Sequence, residues 1–262
     1  MCIRDSCYRN INSFIVSIFW ILKFTDLGYV YKMNESKLRE QICMFASSMF
    51  NRGLTHGSTG NISVRLNNDD ILVTPSGSSF GRLDPNQIVK VTKNGELLGS
   101  STPTKELPLH QAFYETRGMK SGAVVHLHST HSVALSMLPD INEDSVLPPY
   151  TPYSIMLLGK VKLLPFFVPG DPAMGEAIKG LAGKRSAVLL ANHGPVVSGK
   201  NLESSVNAIE ELEATAKLAL ILKGTKPIEL NENQIRSVVN KFNIDLCALS
   251  AHKAYGPMDW HS

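Results

Sequence analysis

Cysteine is scarce. The four present (Cys2, Cys7, Cys43, Cys247) include no C-x-x-C pair, which excludes a zinc knuckle or a dithiol redox motif and fits a reducing, cytoplasmic setting. Any metal held by this chain must therefore rely on histidine and carboxylate. Excess charge is missing too: 26 Lys and Arg stand against 23 Asp and Glu, and no basic cluster interleaves with aromatics. Nucleic acid is accordingly not an expected partner. Internal repeats and low-complexity segments are absent. The apolar stretch at residues 11–24 carries Asn12, Ser13, Ser17 and Lys23 and falls short of the roughly 20 residues that span a bilayer, so no membrane partner is expected. What remains is an ordinary globular composition, 43% hydrophobic and 19% charged over 262 residues, enough for a substantial core and suited to a small-molecule partner.

Residues 1–32 do not resemble the rest of the chain. Asp5 weakens a charged start, no small-x-small cleavage site lies beyond the apolar stretch, and residues 27–32 are bulky, all of which argue against a secretory leader. We read this segment as a non-native or disordered extension before a start at Met33, expected to pack poorly, with residues 33–262 as a single domain.

From Asn34, Leu38, Ile42, Phe45, Met49 and Phe50 recur at helical spacing, with Gly53 as the stop. Residues 62–66 and 71–74 alternate as strands, and residues 88–92 and 96–98 flank Asn94-Gly95, a hairpin signal. The first third thus reads as a helix and then an antiparallel meander. A helix is expected from about Leu107 to Arg117, ended by Gly118, then a strand over 122–128 and a helix through Val133 to Leu138 capped by Ser129 or Thr130. Residues 147–152 read as a proline-rich loop, and Asp171-Pro172 as a helix start. A strand over 187–191 runs into Asn192-His193-Gly194, and residues 196–198 can continue the sheet. Asn201 caps a long helix stopped at Gly224, and a last helix covers residues 231–242 before a loose tail.

Chemistry concentrates in a few places. In the run AVVHLHST at residues 123–130, His126 and His128 share a face while Val125 and Leu127 point into packing, which is half a metal site. A lone H-x-H is as often incidental. His193, at a strand end beside Gly194, supplies a natural third ligand and leaves a position open. Glu106, in a first helical turn, suits the helix dipole, but beside a divalent cation it can act as an acid/base or occupy the open position. The loops Ser58-Thr59-Gly60-Asn61, Ser76-Gly77 and Thr104-Lys105 offer the amides, hydroxyls and cation that bind a phosphate.

The set GNIS (60–63), TPSG (74–77), PTKE (103–106), VVHLHSTH (124–131) and ANHG (191–194) resembles the class II aldolase/adducin family, in its order and spacing, over about residues 37–224. The resemblance implies an α/β/α sandwich around a mainly antiparallel sheet and a divalent metal, usually zinc, one per subunit. It also implies a homotetramer with sites near subunit interfaces. Carried over by motif, His126, His128 and His193 are metal ligands and Glu106 is the acid/base that also coordinates the resting metal. Ser58, Thr59, Gly60, Asn61, Ser76, Gly77, Thr104 and Lys105 line the phosphate pocket. Adducin-type members lack the full ligand set, so the intact set here implies an enzyme, a carbon-carbon lyase. Lys105, the run at residues 147–153 and the run at 168–172 look closest to members that decarboxylate 3-oxo-tetronate 4-phosphates through a metal-stabilised enediolate. Sugar-phosphate aldolases and epimerases are the alternative, and an adducin-like scaffold is a third. Lys105 can serve the phosphate or the carboxylate, and His110 and His131 are candidates to steady the ligands.

Overall fold

Alternating apolar positions need a sheet to bury them, and in the computed structural model they build one. The structure describes residues 35–244; the expected extension at 1–32 and the tail beyond 244 lie outside the described residues. The chain divides into two compact units, Met1–Gln41 and Ile42–Ser262. Of the first, only the opening turns of α1 (Glu35–Asn51) are described, with Arg39 paired to Glu35. The sheet and the remaining helices belong to the second.

The expected meander consists of β1 (Asn61–Arg65), β2 (Ile71–Val73), β3 (Val89–Val91) and β4 (Leu97–Leu98), with Gly95 at φ +86° turning the last hairpin. β5 (Ala123–His126) returns beside β1, and β8 (Gly194–Gly199) closes on its other side, paired in turn with β7 (Ala187–Leu190). β6 (Lys162–Leu164) completes the sheet, whose order is β4-β3-β2-β1-β5-β8-β7-β6. Every pairing is antiparallel except β6 with β7.

Helices cover both faces. Alternation sends Val73, Val91, Val124, Val188, Leu190 and Val196 to one side, where they form a core with Leu109 and Phe113 of α2 (Leu107–Arg117) and with residues of α5 (Ala173–Gly180). On the other side α6 (Leu202–Ile221) packs against β5 and β8, its Ser205 hydroxyl donating to the Ala123 carbonyl. α3 (Thr130–Leu135) and α4 (Pro152–Leu158) lie on α6, and α7 (Glu232–Phe242) lies on α4. The result is the expected α/β/α layering.

Four details differ from the sequence reading. β5 ends at His126, so His128 stands two residues beyond the ladder. α3 begins at Thr130 and ends at Leu135 rather than running to Leu138. α4 starts inside the stretch read as loop: the Thr151 hydroxyl accepts from the Ser154 amide and Pro152 opens the helix, so Thr-Pro here is a cap rather than a breaker. β6 has no counterpart in the sequence pattern, because three residues carry too little alternation and its register comes from β7.

Topology places the site. Since β1 runs antiparallel to both neighbours, its first residue meets the end of β5, Asn61 opposite His126. β8 starts beside the ends of β5 and β7, Val196 opposite His126 and Gly194 opposite Leu190. The segment before α2 is tied to the same end by Thr104 N–H donating to the Thr74 carbonyl (3.1 Å). Gly194, at φ +153°, lets the turn between β7 and β8 press onto β5: a Cβ there would stand 2.1 Å from the Leu127 carbonyl oxygen. Gly194→Ala is expected to force this turn off residues 127–128 and to cost about 2 kcal/mol or more in urea unfolding. An unchanged midpoint would show that the close approach is not required.

Candidate metal centre

At this end of the sheet four side chains from three segments converge. His126 comes from the last residue of β5, His128 from the stretch after it, His193 from the turn between β7 and β8, and Glu106 from the residue before α2. Each offers one ligand atom, and these atoms all lie within 4.8 Å of one another. Glu106 Oε2 is 3.3 Å from His126 Nε2, Oε1 is 3.2 Å from His193 Nε2, and His193 Nε2 is 3.1 Å from His128 Nε2. Four ligands about 2.1 Å from a tetrahedral metal ion stand ~3.4 Å apart, the scale seen here.

The outer atoms fix the inner ones. His126 Nδ1 donates to the Pro195 carbonyl (2.9 Å), which leaves Nε2 as the bare nitrogen, buried and without a hydrogen bond. Asn61 Nδ2 donates to Glu106 Oε2 (2.7 Å). Two imidazole nitrogens 3.1 Å apart need a shared proton or a shared cation, and a convergent, partly unsatisfied donor set of this kind fits a divalent metal. Burial, then repulsion from His126 and His193, pushes the His128 imidazole down to about 3, so it is neutral and competent as a ligand. Burial alone would raise Glu106, but the neighbouring His126 and the hydrogen bonds from His193 and Asn61 outweigh it and hold the carboxyl well below its usual range.

The loops expected to hold phosphate gather nearby to different degrees. Ser76 N–H donates to the Thr102 carbonyl and Pro75 bridges to Pro103, so the Ser76-Gly77 and Thr104-Lys105 loops lie side by side. Ser58, Ser76, Gly77 and Lys105 are exposed, and Thr104 is buried with its hydroxyl accepting from the Glu106 amide. The Thr59 hydroxyl is engaged within its own turn, donating to the His56 carbonyl (2.6 Å). Gly60, at φ +85°, passes close to the His126 carbonyl. Asn61 is buried, its carboxamide set between Glu106 and His110 rather than in an open loop.

Sequence reasoning missed Glu213. Ser129 stands at the N-cap of α3, as expected, but its side chain makes no capping bond; instead this buried carboxylate on α6 accepts from His131 N–H and Nδ1 with one oxygen and from Ser132 N–H and Oγ with the other, at 2.6–2.9 Å. It thereby anchors the chain three residues after His128. At the far end of α3 the Ser136 hydroxyl accepts from the Asn192 amide beside His193, so the same short helix ties two histidines together. The available signal was a glutamate four residues after Ile209, on the buried stripe of α6.

Comparison with known proteins gives the family. The sequence pattern described as "Class II Aldolase and Adducin N-terminal domain" matches residues 40–220. The chain belongs to the class II aldolase and adducin family. It is 47% identical over 194 residues to a 3-oxo-tetronate 4-phosphate decarboxylase of Escherichia coli O6:H1, covering 74% of this chain and 91% of that one. It is 32% identical over 214 residues to the L-fuculose phosphate aldolase of Escherichia coli K12, covering 80% and 96%. Among solved structures, YgbL from Escherichia coli superposes with a TM-score of 0.75 at 44% identity, covering 78% of this chain and 98% of that one. Among the described residues no helix is long and apolar enough to cross a membrane.

The surroundings of the cluster make its stability dependent on pH and on one distant carboxylate. His110, fully buried, is pushed from the ordinary 6.5 down to about 3, first by burial and then by His126. A histidine whose folded value is depressed leaves stability intact above its unfolded value and erodes it as pH falls from there towards the folded value. Metal-free protein should therefore lose stability from about pH 6.5 downwards, on the order of 1.4 kcal/mol per pH unit per buried histidine. Urea titrations at pH 7, 6 and 5 check this, and a flat profile would contradict it. Glu213→Ala should cost about 3 kcal/mol and weaken metal retention, because four donors lose their acceptor at once; metal content after dialysis measures the second effect.

Proposed function

We propose that this chain is a carboxy-lyase that converts a 3-oxo-tetronate 4-phosphate to dihydroxyacetone phosphate and carbon dioxide. The observation that carries the reading is the intact cluster of Glu106, His126, His128 and His193 in a chain more similar to named decarboxylases than to named aldolases.

The three histidines would hold the ion, zinc in our reading, with Glu106 able to fill the remaining position before substrate arrives. When bound, such an ion supplies Lewis-acid polarisation of the substrate's ketone and hydroxyl oxygens. The bond between the carboxylate carbon and C2 breaks, its electron pair passes into the C3 ketone as an enediolate, and a proton added at C2 completes the product. Glu106 stands at the cluster to deliver that proton. The proton can pass directly or through a water bonded to the carboxyl. The exposed loops at Ser58, Ser76-Gly77 and Lys105 offer hydroxyls, amides and a cation for the phosphate, with Thr59, Gly60 and Thr104 shaping the loops. Lys105 lies against Gly170, so the 168–172 run helps set its position.

We further read the working form as a homotetramer, the state the family resemblance implies; exposed Met137, Phe166, Val168 and Ile221 are apolar side chains available for a neighbouring subunit to cover. A cytoplasmic location suits a substrate whose phosphate does not cross a bilayer unaided. The second reading, a sugar-phosphate aldolase, rests on the same cluster and the same enediolate chemistry.

A coupled assay on zinc-loaded protein tests the choice. Equal release of carbon dioxide and dihydroxyacetone phosphate, abolished by a chelator, is expected. No carbon dioxide, with cleavage of fuculose 1-phosphate instead, would favour the aldolase. Glu106→Gln should lower turnover by about 100-fold or more while zinc and phosphate-analogue binding persist; undiminished turnover would remove Glu106 from the chemistry.

A further inference from the structure

Behind Glu106 the structure contains an ordered series of polar groups that metal binding does not use. Asn61, Ser63 and Arg65 occupy alternate positions of β1 and share one face, while Glu106, His110 and Tyr114 recur at four-residue spacing along and just before α2. Two strand residues advance about 6.6 Å and four helix residues about 6 Å, so the two series stay in step where helix crosses strand. Their side chains interlock: Asn61 Nδ2 to Glu106 Oε2 at 2.7 Å, His110 Nε2 to Asn61 Oδ1 at 2.5 Å, Ser63 Oγ to His110 Nδ1 at 2.7 Å and Ser63 Oγ to Tyr114 OH at 2.7 Å. The series continues to Arg65, which lies over the Tyr114 ring and donates to the Tyr114 carbonyl. Asn61, Ser63, His110 and Tyr114 are all buried.

Chemistry fixes the direction of every bond. The Glu106 carboxylate can only accept, so Asn61 presents its NH2 to it and turns its carbonyl to His110. His110 must then carry its proton on Nε2, and Nδ1 accepts from the Ser63 hydroxyl. With the Ser63 proton committed, the Tyr114 hydroxyl donates to Ser63. An Asn61 amide rotated by half a turn would set oxygen against oxygen at 2.7 Å and drive the Glu106 carboxylate from its place.

We propose that His110 is a positioning residue for Glu106: with Ser63 setting its tautomer, it locks the Asn61 carboxamide in the one orientation that holds the carboxylate at the metal cluster. This rests on the reading of Glu106 as the acid/base, and its test separates the two. Nitrogen-15 NMR of histidine-labelled, zinc-loaded protein is expected to show His110 protonated at Nε2 and bare at Nδ1. The opposite tautomer would overturn the proposal whatever reaction is catalysed.

Kinetics on the substrate identified above supply the second readout. His110→Phe should lower kcat about 100-fold with KM and zinc content within about twofold, since a misplaced catalytic group costs rate rather than binding. His110→Gln, whose side-chain NH2 can still donate to Asn61, should recover most of that loss. Unchanged kcat in the Phe variant, or equal losses in both, would overturn the proposal. Should the Phe variant not fold, Ser63→Ala removes only the donor to Nδ1; a kcat about tenfold lower with a mixed tautomer supports the lock, and an unaltered kcat and tautomer refute it. Failure of the Glu106 reading looks different: turnover survives Glu106→Gln while the His110 tautomer stays as described.

Discussion

Four titratable side chains share one buried corner, and the rest of this end of the molecule is arranged around the cost of keeping them there. Three imidazoles crowded together cannot all be charged, and one carboxylate among them cannot be left without donors. The solution lies on the outer atoms: the Pro195 carbonyl behind His126 and the Asn61 amide behind Glu106. Neither group belongs to the cluster, yet each orients a side chain that does. What the cluster presents is thus set one layer further out than the cluster itself.

The sequence disclosed those parts of the fold that are local. Asn201 forms a capping box where a cap was expected, Gly118 ends α2, and Asn94-Gly95 turns the hairpin, because each answers to residues within a few positions; Asn231, read as the first residue of the last helix, is its cap. The cluster was legible for a different reason. Histidines at strand ends are chemically conspicuous, and the family's spacing joined His193 to the pair at 126 and 128. Hidden from that reading were the long-range supports. Glu213 reaches residues 131–132 from 81 and 82 positions away, and looks like an ordinary polar residue on a helix until the fold brings its partners. His110 was a candidate to steady the cluster, but its partner Asn61, 49 positions away, was not legible as such. β6 escaped for the same reason, having no register without β7.

The carboxylate at 213 also shows how a short helix can be made dependable. Six residues are too few to hold a helix by propensity. Glu213 satisfies its first amides from α6, and Ser136 ties its end to Asn192, so α3 acts as a spacer between the segments that carry His128 and His193.

The strand order carries a consequence for the chain as it is made. β5 lies in the middle of the sheet, with β1 on one side and β8 on the other. Glu106, His126 and His128 emerge from the ribosome 87, 67 and 65 residues before His193, when β1 and β5 can already pair but the other flank has not been synthesised. For that interval three of the four clustered side chains stand without the fourth. The late turn at residues 190–194 is then the clasp that completes the cluster.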